Sequence, residues 1–220
     1  MLGKLFGKPS VADLPGKTLA GSPVSPALLN VGGNSKLIPI PPHFAGWRHD
    51  LLDIDPTGKP DLLCDARELD TLPGAQYDAI YCSHNLEHYL HHDARRVLKG
   101  FLSILKDDGF ADIRVPDIGQ VMRHCAANNT DLDDVLYESP AGPIMVRDVL
   151  WGWGHKIEIS GNDFFAHKTG FTHTSLTRIL EDAGFAEVFI DAASEPAFEI
   201  RALAFKRGGA NPHKAALGIG

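Results

Sequence analysis

Glycines, carboxylates and histidines fall at the ends of apolar runs along this chain, where binding and catalytic groups are carried in a sheet protein. Residues 28–33 read Leu-Leu-Asn-Val-Gly-Gly, an apolar run that breaks into a glycine pair. Roughly 20 residues later a second apolar run, residues 50–54, reaches Asp53 and Asp55, the spacing of a nucleoside-binding sheet. Glycine lets backbone approach a ligand because it has no Cβ, and an acid at the next strand end accepts hydrogen bonds from ribose hydroxyls. Asp65, then Ser83-His84, then Asp117 close the following apolar runs. Histidine titrates near neutrality, so His84 is the first candidate for taking a proton from a nucleophile. Asp117, His155, His167 and His173 are further candidates for the same task.

One stretch carries a rival chemistry. His84-Asn85-Leu86-Glu87-His88 reads H-x-x-E-H, an inverted zinc-peptidase pattern. On a helix, His84 and His88 would share one face as zinc ligands, with Glu87 as base. Against this, His84 falls at a strand exit, before a helix can start. A third ligand is not evident, although Glu158 or Glu181 could serve, so no metal is expected. A nicotinamide-dependent oxidoreductase fits less well, because the full G-x-G-x-x-G opening a helix is missing.

The elements that must position these groups follow from the same pattern. Residues 27–31, 50–54, 61–66, 78–82 and 110–115 read as five strands. Their apolar runs are too continuous for a sheet with a wet face, which predicts a mainly parallel sheet covered on both sides. Ligands then bind at the carboxyl ends of the strands, where the candidate residues converge. Pro39, Pro41 and Pro42 exclude a full helix after the glycine turn. A helix is expected from Leu86 to Leu105, closed by Gly109, and another from Ser175 to Gly184. Residues 186–190 and 198–205 read as an antiparallel pair at the sheet edge. Residues 118–165 form a long insertion, with a helix from Val121, an acidic helical piece over 131–137 and an aromatic stretch ending at Trp153. It reads as a substrate lid, the other reading being a dimer surface that would make the protein a homodimer. Residues 1–26 are rich in glycine and proline and read as a flexible arm, and residues 208–220 as a disordered tail.

The bulk numbers narrow the partners. The chain has 220 residues, is 44% hydrophobic and carries a formal charge of −7, without a basic patch. That disfavours nucleic acid and leaves a small molecule as partner. No apolar stretch approaches the roughly 20 residues of a membrane span, and no signal peptide is evident, which predicts a cytoplasmic protein. The three cysteines, Cys64, Cys82 and Cys125, fit neither a disulfide framework nor a CxxC metal site.

The motifs together resemble class I S-adenosylmethionine-dependent methyltransferases of the small bacterial type. The matching pieces are Leu29-Asn30-Val31-Gly32-Gly33, Leu52-Asp53-Ile54-Asp55-Pro56 and Cys64-Asp65-Ala66-Arg67. They continue with the run from Tyr77 through Ser83-His84-Asn85-Leu86-Glu87-His88, then residues 105–110, 167–172 and 183–185. The resemblance implies a Rossmann-like seven-stranded sheet with an antiparallel edge strand and helices on both faces, spanning residues 27–207. It implies S-adenosyl-L-methionine as cofactor. Gly32 and Gly33 would pass its methionine part, with Asn30 and Asn34 in the same cofactor-binding turn. Asp53 would hold the ribose hydroxyls, with Asp55 as the alternate. Asp65 would accept from the adenine amine beside the Ala66 N–H, and Ser83 and His84 would line the sulfonium side. The expected activity is methyl transfer to an oxygen or nitrogen of a small molecule or glycan precursor. The alternatives are a zinc-dependent hydrolase using His84, Glu87 and His88, or a non-catalytic methyltransferase-like binding protein. The last arises because Asn34 stands where the family has a third glycine and a proline-rich loop replaces the first helix.

Overall fold

A computed structural model describes residues 25–140, 142–192 and 198–219. The strands are β1 (Ala27–Val31), β2 (Arg48–Asp53), β3 (Leu62–Leu63), β4 (Tyr77–Ser83), β5 (Leu105–Pro116), β6 (Val135–Ser139), β7 (Gly142–Met145), β8 (Glu187–Ala192) and β9 (Glu199–Phe205). The helices are α1 (His91–Ile104), α2 (Ile118–Asn128), α3 (Val146–Trp151), α4 (Gly154–Ser160) and α5 (His173–Ala183). Seven strands make one sheet in the order β3-β2-β1-β4-β5-β9-β8. The first five are parallel, and β9 runs antiparallel to both β5 and β8. Among the described residues no helix is long and apolar enough to cross a membrane.

The continuous apolar runs are buried on both faces, which is what commits them to a covered parallel sheet. On one face Leu29, Val31, Ile80 and Cys82 pack against Val97, Leu98 and Phe101 of α1 and Leu176 and Leu180 of α5. On the other face Leu28, Ala79, Phe110 and Phe205 meet Phe44, with Trp47 and Leu217 against them. No α-helix follows β1. The three prolines leave only a 3-10 turn, Pro42–Phe44, and the aromatic ring of Phe44 takes the place a helix would cover.

Four sequence expectations are corrected here. The helix expected from Leu86 splits, with a 3-10 turn at Leu86–His88, an extended Leu90 and α1 only from His91. Gly109 does not close that helix. It lies inside β5, where a Cβ would sit 2.9 Å from the Lys106 carbonyl oxygen and 3.2 Å from that of Asp78. The acidic piece at 131–137 is a turn leading into β6, because Asp131 and Asp134 spend their carboxylates on the N–H groups of Leu132 and Asp131. Finally, residues 208–219 are ordered against the core. His213 packs on Trp47 and Phe110, Lys214 pairs with Glu187, and Leu217 and Ile219 close the aromatic face. The glycine-rich composition of that segment hid four anchors without a regular period. The arm expected over residues 1–26 lies, apart from its last two residues, outside the described residues.

Truncation after Arg207 tests this packing. Uncovering Leu217, Ile219 and the faces of Trp47 and Phe110 costs about 1.5–3 kcal/mol for each large apolar side chain fully lost from the interior. The urea midpoint of the truncated protein is expected to fall clearly below that of the full chain, whereas a disordered tail would leave it unchanged.

The insertion after β5 is a small body of its own. It comprises α2, the β6–β7 hairpin, α3 and α4, and Val121, Leu136, Val146 and Val149 form a separate apolar cluster with Phe198. Trp151, Trp153 and Phe164 remain exposed on it.

Candidate active site at the carboxyl edge

The register of β1 on β2 pairs Val31 with Leu52, which brings Gly32 beside Asp53 at the sheet edge. The Gly32 N–H donates to the Leu52 carbonyl at 2.8 Å. The chain then turns through left-handed backbone at Gly32 (φ +71°) and Asn34 (φ +59°). Asparagine tolerates that region better than other residues with a Cβ, which explains how Asn34 replaces glycine. Asp53 is built into the turn. Its Oδ2 accepts the Asn34 N–H and its Oδ1 the Asp55 N–H, each at 2.9 Å. A carboxylate oxygen has two acceptor sites, so each oxygen keeps one for a hydroxyl donor. Asp55 is spent differently, capping the Pro56–Gly58 turn through the Thr57 N–H. Of the two acids, Asp53 is therefore the one joined to the glycine turn.

The turn is tightly backed. A Cβ on Gly33 would lie 2.3 Å from Asn30 Nδ2, and one on Gly32 would lie 2.1 Å from Asn85 Nδ2. Asn30 is thereby a buried support beneath the turn, and Asn85 covers its first glycine. Asp65 caps the 3-10 turn Ala66–Thr71, and the Arg67 guanidinium grips its carboxylate at 2.6–3.1 Å. Burial raises the Asp65 carboxyl, but the Arg67 hydrogen bonds and charge outweigh it and hold the carboxyl below its usual range. Ala66 is buried at the start of this turn.

His84 follows Ser83 at the exit of β4 in left-handed backbone, φ +48°. Its Nε2 meets Glu199 Oε2 at 2.8 Å, and its Nδ1 lies 3.5 Å from Glu87 Oε1. Desolvation disfavours the charged ring, yet the hydrogen bond to Glu199 and the negative charges of Glu87 and Glu199 overcome it and push the pKa up to about 10. Set between two carboxylates, His84 favours its charged, hydrogen-bond-donating form over that of a base. The geometry also removes the shared helix face that a His84–His88 zinc pair requires, because His84 precedes the Leu86–His88 turn.

A different grouping forms behind it. Glu87 is 1% exposed, and neither of its oxygens reaches a hydrogen-bond partner. His167 Nε2 lies 4.0 Å from Glu87 Oε1, and the His88 and His167 rings stand edge to face at 5.0 Å. Burial keeps the His167 ring from charging, against the pull of Glu87. The other expected residues lie elsewhere. Asp117 caps α2 through the Gln120 N–H and lies 3.1 Å from His173 Nε2, and His155 is exposed on α4. The residues that sequence reasoning underweighted are Glu199 and Glu87. Nothing local marks Glu199, whereas the H-x-x-E-H run marks Glu87 together with His84 and His88, and only the fold adds His167.

No protein-family model matches this chain, and no curated protein does. Solved structures do. A SAM-dependent methyltransferase from Archaeoglobus fulgidus superposes with a TM-score of 0.50 at 18% identity, covering 83% of this chain and 86% of the other. The PH0226 protein from Pyrococcus horikoshii OT3 gives 0.50 at 10% identity, with 83% and 84% covered. The CurJ carbon methyltransferase gives 0.50 at 11% identity, with 86% of this chain spanning 50% of that longer one. The chain has the class I methyltransferase fold.

Proposed function

We propose that this chain is an S-adenosyl-L-methionine-dependent methyltransferase acting on an oxygen or nitrogen of a small molecule or glycan precursor. One observation carries the reading: the Gly32–Asn34 turn is hydrogen-bonded onto Asp53 at the strand edge, and each oxygen of that carboxylate has capacity for a further donor. This donor and acceptor set fits a nucleoside whose ribose hydroxyls need a carboxylate and whose amino-acid part needs close backbone approach. The cofactor supplies a methyl group already activated on a sulfonium.

The protein's own share is placement and proton handling. Asp53 orients the ribose, and its orientation is fixed by the Asn34 and Asp55 N–H groups. The Arg67-gripped Asp65 and the Ala66 N–H border the next strand end, where an adenine edge fits. His84, fixed by Glu199, presents a charged donor beside Ser83. Behind His84, Glu87 and His167 lie close by as further groups able to hold a proton. The insertion's exposed Trp151 and Trp153 suit a sugar or aromatic acceptor.

Calorimetric titration with S-adenosylhomocysteine tests the reading. One site of micromolar affinity is expected. Losing a hydrogen bond to a charged group costs about 1.5–3 kcal/mol, so Asp53→Ala should weaken binding on the order of 10- to 100-fold. Asp53→Asn, which keeps the side-chain shape, should weaken it too while leaving the melting temperature closer to that of the parent. A folded protein that binds no S-adenosylhomocysteine would overturn the proposal.

A further inference from the structure

Three side chains outside the cofactor turn converge without a proton to share. Glu87 comes from the turn after β4, His88 from the next position, and His167 from the segment that precedes α5. One ligand atom from each lies within 4.8 Å of the other two. The His88 Nδ1 faces the Ala166 carbonyl at 3.1 Å, and the His167 Nδ1 faces the Val149 carbonyl at 2.8 Å. A carbonyl only accepts, so each ring carries its proton on Nδ1 and leaves a lone pair on Nε2. Two ring lone pairs and a buried carboxylate are therefore available within one small cluster. Oε1 of the carboxylate faces the His84 ring at 3.5 Å, an ion pair without hydrogen-bond geometry, and neither buried oxygen accepts a hydrogen bond, which is costly for a charged group. A backbone carbonyl holding the far nitrogen of each histidine is also how metal-ligating imidazoles are oriented.

We propose that Glu87, His88 and His167 bind a divalent first-row metal ion. Two imidazole nitrogens and one carboxylate oxygen are the ligands of zinc, iron(II), manganese or cobalt sites, and three protein ligands leave coordination positions open. The cluster adjoins the methyl-transfer edge, since Asn85, two residues before Glu87, packs directly against Gly32. On the methyl-transfer reading, and resting on it, the open positions would hold the acceptor's hydroxyl and lower its pKa; the proton would pass to solvent, the oxygen would form its bond to the methyl carbon, and the carbon–sulfur bond of the sulfonium would break to release S-adenosylhomocysteine. The metal site itself stands without that reading.

The test uses the full-length protein, stripped by chelation and titrated with cobalt(II) while its visible d–d absorption is followed. One equivalent is expected to bind. Losing an orienting partner of a metal ligand already costs about 10- to 100-fold in affinity, so His88→Gln and His167→Gln should each cost at least about 100-fold. His92→Gln, at an exposed histidine nearby, should bind like the parent. Should a variant fail to fold, the copper(II)-loaded parent protein still decides, because electron spin-echo modulation should count two imidazole nitrogens. Absent cobalt binding, binding unaltered by both glutamine variants, or a spin-echo signal without imidazole would each overturn the site. The parallel S-adenosylhomocysteine titration separates the two claims. Cobalt bound without S-adenosylhomocysteine leaves the metal site standing and removes its methyl-transfer role. S-adenosylhomocysteine bound without cobalt does the reverse.

Discussion

Asp112→Ala is expected to destabilise the fold by about 3–5 kcal/mol, measured by urea denaturation near neutral pH. Asp112 is fully buried on β5, facing the aromatic side of the sheet. The Arg201 guanidinium of β9 holds it through Nε at 3.1 Å and Nη2 at 2.8 Å. His43 Nε2 lies at 3.1 Å, and Arg114 Nε at 3.7 Å. Removing the carboxylate leaves the largely buried Arg201 guanidinium without its hydrogen-bonded anion, and Arg114 with Glu199 alone at 3.6 Å. That uncompensated charge, rather than the lost contacts, sets the size of the effect. The double variant Asp112→Leu with Arg201→Met should therefore recover most of the loss, since an apolar pair of similar volume is often neutral or stabilising. A loss below about 0.5 kcal/mol for Asp112→Ala would mean that water reaches the pair freely.

The same carboxylate sets an acid limit. Burial raises the Asp112 carboxyl, but His43, Arg201 and the charge of Arg114 outweigh burial and hold it below its ordinary value of 3.8. A group with a depressed folded pKa contributes stability above its unfolded pKa and loses it as the pH falls through the folded one. Its contribution is thus complete at neutral pH and fades below pH 3.8. In Asp112→Asn that part of the acid slope should disappear, which denaturation curves taken across the acid range would reveal.

The second large effect is expected at Gly32. Gly32→Ala places a Cβ in left-handed backbone and within 2.1 Å of Asn85 Nδ2 and 2.9 Å of Asn85 Cβ. The conformational part costs about 1–2 kcal/mol. Crowding adds to it, because Asn85 is fixed between Ser83-His84 and the Leu86–His88 turn. The turn must then shift away from Asp53, and S-adenosylhomocysteine affinity should fall on the order of 100-fold or more, which corresponds to about 2.8 kcal/mol. Gly161→Ala supplies the control. Gly161 has nearly the same φ, +65°, with nothing within 4 Å of the added Cβ. It should lose a comparable conformational share of stability while binding S-adenosylhomocysteine like the parent. Equal binding by both variants would show that the glycine turn does not form the cofactor contact.

How much of this was legible beforehand depends on the range of the forces involved. The strands were readable because burial on both faces writes itself into each run locally: residues 27–31 and 78–82 are apolar almost throughout, and they became β1 and the body of β4. The missing first helix was readable at Pro39, Pro41 and Pro42, since proline acts on its own backbone. The glycine turn and Asp53 were readable together because parallel pairing of β1 and β2 converts sequence spacing into adjacency. Helix starts were less so. Leu86 and Leu90 keep the helical period, yet Leu90 is extended and the chain turns at Leu86–His88 instead. The ordered 208–219 segment was hidden because four anchoring side chains leave no periodic signal in a glycine-rich stretch.

The sequence by itself determined the sheet, the edge at which its chemistry converges, and the acids and histidines offered there, because these follow from local burial and chain connectivity. Only the tertiary structure decided which of those groups work together. It turned His84 toward Glu199, 115 residues away, and so favoured the charged form of the foremost candidate base. It brought His167 to Glu87 and His88, where the sequence had offered Glu158 or Glu181 as a third ligand. Side-chain charge and hydrogen bonding act over a few ångströms, and only the folded chain sets which distant residues come within that reach.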